Sequence, residues 1–253
     1  MKLIRFILAA VTLSLLALPF RAMAITVYNT SITAIYGSGN PDTGWTADNS
    51  NGLTLALRAK GRNDTVYAGT TPNDSAGTYT FGTQTGARGP FNYEFSINSG
   101  TATLTSYDFY LAVDQDHSAG FTPVTVNPLT YWLDNSYGTG TTANGAGTET
   151  GLFPGATVAQ NSQNITFGGY PGGALGLVPD ATYTYELYAV QSGAGANGTR
   201  LASVSMNVVV GGGGAVPDIG SSALLLGIGL SGLMVLRKRL TRESDGSSMA
   251  AAA

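Results

Sequence analysis

The sequence has no cysteine, one histidine (His117) and little charge: 12 Lys or Arg and 15 Asp or Glu in 253 residues, or 11%, against about 25% in an ordinary soluble domain. Without cysteine there is no disulfide, no thiolate nucleophile and no sulfur-ligated zinc or iron-sulfur centre. A single histidine removes multi-histidine metal sites as well. The formal charge of −3 and the lack of clustered bases argue against nucleic acid as a partner. Amphipathic helices are also lacking, since no window of about twelve residues carries a helical stripe. Glycine is plentiful, with 35 Gly beside 10 Pro. These are interleaved with Tyr, Phe, Val and Leu, which excludes a collagen-like or wholly disordered chain.

Both ends read as targeting segments. Lys2 and Arg5 precede an apolar run from Phe6 to Leu18, and Ala22-Met23-Ala24 supplies a small-x-small site. That order predicts a signal peptide over residues 1–24, cut by signal peptidase after Ala24 and directing the chain into the secretion machinery. Toward the other end, a glycine linker (211–215) leads into Val216-Pro217-Asp218-Ile219-Gly220-Ser221-Ser222. Residues 219–236 contain no charge and are just long enough to span a bilayer, which takes about 20 residues. Arg237-Lys238-Arg239 follow as a basic stop that stays cytoplasmic by the positive-inside rule. Residues 240–253 are then a cytoplasmic tail and residues 25–210 an exterior domain. Residues 25–215 hold twelve acids and five bases, a net of −7, which keeps that region solvated beside anionic headgroups.

A short proline motif, a marginal membrane segment and a basic end, in that order, resemble the PEP-CTERM class of protein-sorting signals, here in a VPD-x-G form over residues 216–239. The resemblance implies recognition by an exosortase, an integral membrane cysteine protease-transpeptidase of Gram-negative-type bacteria. It would cut near the motif and leave the exterior domain on the cell surface or in the extracellular matrix. The physical chemistry agrees, because Pro217 denies its neighbours a helix and keeps the backbone extended. Gly220 permits close backbone approach. The phrases Tyr36-Gly37-Ser38-Gly39-Asn40-Pro41, Gly44-Trp45 and Val158 to Asn164 also look like exported domains of that class, and imply no activity.

The exterior domain alternates with period two. Phe91, Tyr93, Phe95 and Ile97 alternate with Asn92, Glu94, Ser96 and Asn98; Tyr107 to Asp114 and Tyr183 to Ala189 do likewise. Half-buried strands follow. Further strands are expected at 25–36, 52–59, 78–82, 122–132, 164–168 and 201–210. The fold class is all-β: an antiparallel, jelly-roll-like β-sandwich.

Candidate chemistry is sparse. Asp114, Asp116 and Ser118 make a D-x-D-x-S opening suited to Ca²⁺. Position 125, where a bidentate Glu would complete the loop, is Thr125, so a solvated acidic turn is the other reading. His117 lies beside Ser118 and no G-x-S-x-G elbow exists, which disfavours a hydrolase triad. Glu94, Glu149 and Glu186 could furnish a glycosidase pair if two converged. Trp45, Trp132, Tyr110, Tyr131, Tyr137, Tyr170 and Tyr188 could stack on sugars or fill the core. N-x-S/T sequons stand at Asn29, Asn63, Asn73, Asn164 and Asn197. The expectation is a non-enzymatic exported protein with no cofactor beyond a weak Ca²⁺ site. Its partners are the exosortase and extracellular polysaccharide; the alternatives are a carbohydrate-binding module or glycoside hydrolase, and a permanently anchored surface protein.

Overall fold

A computed structural model describes residues 26–62, 73–82, 88–116, 121–175 and 181–211. The predicted signal peptide, sorting motif, membrane segment and cytoplasmic tail lie outside them. The strands are β1 (Thr26–Thr30), β2 (Trp45–Ser50), β3 (Leu53–Gly61), β4 (Asn73–Ser75), β5 (Thr78–Phe81), β6 (Phe91–Asn98), β7 (Tyr107–Asp114), β8 (Pro123–Val126), β9 (Ser136–Gly138), β10 (Val158–Asn164), β11 (Ala181–Gln191) and β12 (Arg200–Val210). One sheet runs β1-β2-β3-β6-β10-β9, the other β4-β5-β12-β11-β7-β8. They pack face to face, with β12 lying over β2 and β3. Two layers of strands match the expected sandwich. The pairing is not wholly antiparallel, however, because β5 runs parallel to β12.

The period-two segments deliver the core. Phe91, Tyr93, Phe95 and Ile97 of β6 meet Phe109, Leu111 and Val113 of β7 and Tyr183, Tyr185 and Leu187 of β11, all buried. Tyr93 stacks on Tyr185 at 5.0 Å and receives the edge of Tyr170 at 5.6 Å, pairings that add about 0.5–1.5 kcal/mol beyond area burial.

Three strand boundaries differ from expectation for identifiable reasons. The strand expected over 122–132 stops at Val126: Pro128 cannot donate to a ladder, and Asn127 caps a helical turn, α1 (Pro128–Tyr131), accepting from the Leu129 amide at 2.9 Å. The strand expected over 164–168 is a run of turns, since β10 ends at Asn164. The strand expected over 25–36 is β1 alone, and residues 31–44 leave the sheet edge to cross its outer face.

That crossing accounts for a larger departure. Asn92, Glu94 and Ser96, expected to face solvent, are buried, because the 31–44 segment covers them. Ile35 N donates to Gln160 Oε1 at 2.8 Å, and Gln160 Nε2 returns a bond to Thr33 O at 2.9 Å. Ala34, Tyr36, Trp45, Ala47 and Ala56 form a second small core beneath the segment. From above, the Gly138 to Gly151 loop clamps it, with Gly145 N donating to Ala34 O and Gly147 N to Ile35 O. Gly145 has φ +69°, and a Cβ there would stand 2.7 Å from Ser38 Cα. Gly145→Ala is therefore expected to cost about 1–3 kcal/mol through strain and displacement of the clamped segment, read out by urea denaturation.

Candidate functional site

The site grows from one strand. Leu53, Leu55, Leu57 and Ala59 of β3 point into the core, so Arg58 and Lys60, at alternating positions, point outward together, and Arg62 follows just past the end of the strand. The register sets Arg58 opposite Glu94 and Lys60 opposite Asn92 on β6, with Ser162 and Asn164 of β10 beyond them. Four side chains converge on the Glu94 carboxylate. Arg58 Nε and the Tyr36 hydroxyl donate to Oε2, Lys60 Nζ lies 2.9 Å from Oε1, and Ser162 Oγ donates to Oε1 at 2.9 Å. Arg58 also donates to Pro41 O, Thr43 O and the Tyr36 hydroxyl, and lies 4.2 Å over the Trp45 ring.

Electrostatics follow from the geometry. Glu94 is fully buried, which by itself would raise its pKa; Arg58 and then Lys60 more than offset this and hold it below the ordinary carboxylate range. Arg58 is buried too, which favours its neutral form, but Glu94 opposes that and its pKa is raised. Burial, followed by the Glu94 charge, pushes the Tyr36 hydroxyl well up, so it remains a donor.

Beside this network opens a cavity of about 430 Å³. The 36–40 turn, Lys60 and Arg62, Asn92, Ser162 and Asn164, and the loop residues Arg88 and Phe167 enclose it. Arg88 sits 5.4 Å from the Phe167 ring centroid. Neither Arg62 nor Arg88 is ion-paired with a carboxylate among the described residues. The alternation Arg58-x-Lys60-x-Arg62 was the one local signal of this cavity. The segment over it, and the approach of Arg88 and Phe167, come from tertiary structure.

Residues singled out by sequence scatter elsewhere. Asp114 ends β7 fully buried, its Oδ1 accepting from the Thr122 and Asp116 amides and its Oδ2 from that of Thr184. Burial pushes its carboxyl up, and the Thr122 amide leads the groups pulling it back. Asp116 follows it in the turn; His117 and Ser118 lie outside the described residues. Among the described residues no group of three or more His, Cys, Asp or Glu is placed to hold a metal. Glu94 and Glu186 stand on different sheets, Glu186 ion-paired with Arg200. Trp45, Trp132, Tyr137, Tyr170 and Tyr188 are buried and so serve packing, not a surface platform. Asn164, within a sequon, is also buried, and its amide nitrogen lies within hydrogen-bond distance of three acceptors.

Compared with known families, residues 215–240 match the VPDSG-CTERM motif, a variant of the PEP-CTERM-type sorting signal. The match covers roughly a tenth of the chain, which has Ile219 where that motif's name has serine. No curated protein and no solved structure matches the chain. Among the described residues no helix is long and apolar enough to cross a membrane.

Proposed function

We propose that this is an exported protein, cleaved after Ala24, that pauses in the inner membrane through residues 219–236 with Arg237-Lys238-Arg239 on the cytoplasmic side. An exosortase-type enzyme then acts at Val216 to Ser222 and delivers the β-sandwich to the cell surface or extracellular matrix. The sorting-motif match over 215–240 carries this reading. It is supported by the position of β12, which finishes at Val210, directly before the glycine linker that leads to the motif in sequence. A non-catalytic domain fits the tying of Glu94 to Arg58 and Lys60 and of Glu186 to Arg200. A carboxylate held as an ion pair is a poor proton donor.

Intact mass and C-terminal peptide mapping of protein from the native host's surface fraction test the proposal. A chain ending between Val216 and Ser222 is the expected result. Recovery of Arg237-Lys238-Arg239 still attached would make the segment a permanent anchor and overturn the processing step.

A further inference from the structure

Residues 25–215 carry twelve acids and only five bases, yet Lys60, Arg62 and Arg88 line one cavity, and Arg58 adjoins it on the same strand face. Among the described residues Glu94 is the one carboxylate ion-paired with this group. One end of the sheet's outer face is thus locally cationic in a domain that is acidic overall. Its walls combine three kinds of recognition chemistry. Arg62 and Arg88 are exposed and free of carboxylate partners among the described residues, ready for charge-assisted hydrogen bonds to an anion. Phe167 keeps 37% of its surface exposed beside Arg88, whose guanidinium lies over the ring at 5.4 Å, and that remaining apolar surface is of the kind a sugar ring covers with its C–H bonds. Ser38 and Asn40 add a hydroxyl and an amide at the rim. The volume of about 430 Å³ falls within the range of small-molecule sites, about 300–1,000 Å³.

We propose that this cavity binds a carboxylated sugar unit of an acidic polysaccharide. The carboxylate lies between Arg62 and Arg88, the pyranose packs against the part of Phe167 that Arg88 leaves exposed, and the ring hydroxyls meet the 36–40 turn. Lys60, half-neutralised by Glu94, supplies long-range attraction more than a direct bond. A densely charged polyphosphate is disfavoured by the net −7 of the surrounding domain, whereas a polyuronate, with one charge per ring, brings a lower charge density beside it. The inference goes beyond the sorting proposal and does not depend on it, because the cavity is present whether or not the tail is cut.

The test is titration calorimetry of the full-length chain in non-ionic detergent with oligogalacturonate, a neutral galactose oligomer of equal length and inorganic sulfate. Oligogalacturonate should bind, weaken with added salt, and lose at least about tenfold in affinity in the Arg62→Gln/Arg88→Gln variant. Phe167→Ala should weaken it by about tenfold with unchanged salt dependence. Both variants replace exposed side chains, and thermal melting checks that they fold; Arg88→Gln alone serves if the double variant does not. Equal binding of the neutral oligomer, saturation by sulfate with the affinity of the oligomer, indifference to the substitutions, or no binding of oligogalacturonate would each overturn the proposal. The C-terminal mapping reads a different event, so either proposal can fail without the other.

Discussion

Arg58→Met is expected to destabilise the protein by about 3–5 kcal/mol, because it removes the main countercharge of the fully buried Glu94 carboxylate and leaves Lys60 as its remaining ion-pair partner among the described residues. At roughly 2–4 °C per kcal/mol for a domain of this size, the melting temperature should fall by about 6–20 °C. The loss has a second part. Arg58 also holds Pro41 O, Thr43 O and the Tyr36 hydroxyl and covers Trp45, so its removal loosens the whole 31–44 segment. Glu94→Gln should cost less, since Arg58 keeps those carbonyls and Lys60, near the surface, can turn toward solvent. Combining Arg58→Met with Glu94→Leu should recover much of the single-variant loss, because buried ion pairs roughly break even against apolar replacements. A double-mutant cycle in guanidinium measures this, and strict additivity would disprove the coupling.

The same network fixes an acid limb in the stability profile. Glu94 titrates below its ordinary value when folded. Its contribution is therefore complete above the unfolded pKa of about 4.3 and is lost as pH falls through the lower folded value. Asp114 works against it: burial raises its carboxyl, so the folded state holds that proton more tightly and acidification through that range favours folding. Glu94→Gln should flatten the acid limb and leave the Asp114 contribution in place.

How much of this was legible in the sequence depends on what each strand faces. β6, β7 and β11 were readable because large apolar side chains recur at every second position and one sheet face is dry. β2 and β10, Trp-Thr-Ala-Asp-Asn-Ser and Val-Ala-Gln-Asn-Ser-Gln-Asn, carry polar groups on both faces. The outer face of β10 is buried because the 31–44 segment, far away in sequence, crosses it, whereas β2 is covered by the same segment running directly into it and by β12 on the other side. The same crossing turned Glu94 from an apparent surface acid into a buried ion-pair partner, and placed Trp45 under a guanidinium where a sugar cannot reach it. For the cavity, the β3 cations could be read from their alternation, but Arg88 and Phe167 sit on turns that flank β6 and β10. No spacing rule says that those turns meet. The sorting motif was legible for the opposite reason: it is recognised as a linear order of residues and needs no tertiary partner.

Asn164→Asp, an isosteric exchange, should cost about 3–5 kcal/mol at pH 7. The Asn164 amide nitrogen lies 3.1 Å from Gly89 O, 2.8 Å from Phe91 O and 2.9 Å from Asn92 Oδ1, while its oxygen accepts from the Gly89 amide and from the Thr166 amide and hydroxyl. This side chain thereby joins the segment before β6 to the turn after β10. Asp keeps the shape and the accepting side but sets a carboxylate oxygen against three acceptors, so three contacts become repulsive at a side chain that is almost fully buried. Protonation would restore one donor, so the defect should shrink between pH 7 and pH 4, the reverse of the wild-type acid response. Asn164→Leu has no such pH dependence and separates loss of hydrogen bonds from charge. Urea melts of the three proteins at both pH values decide the matter. A penalty for Asn164→Asp below about 1 kcal/mol at pH 7 would mean that water reaches this amide and that the joint between the two turns is open.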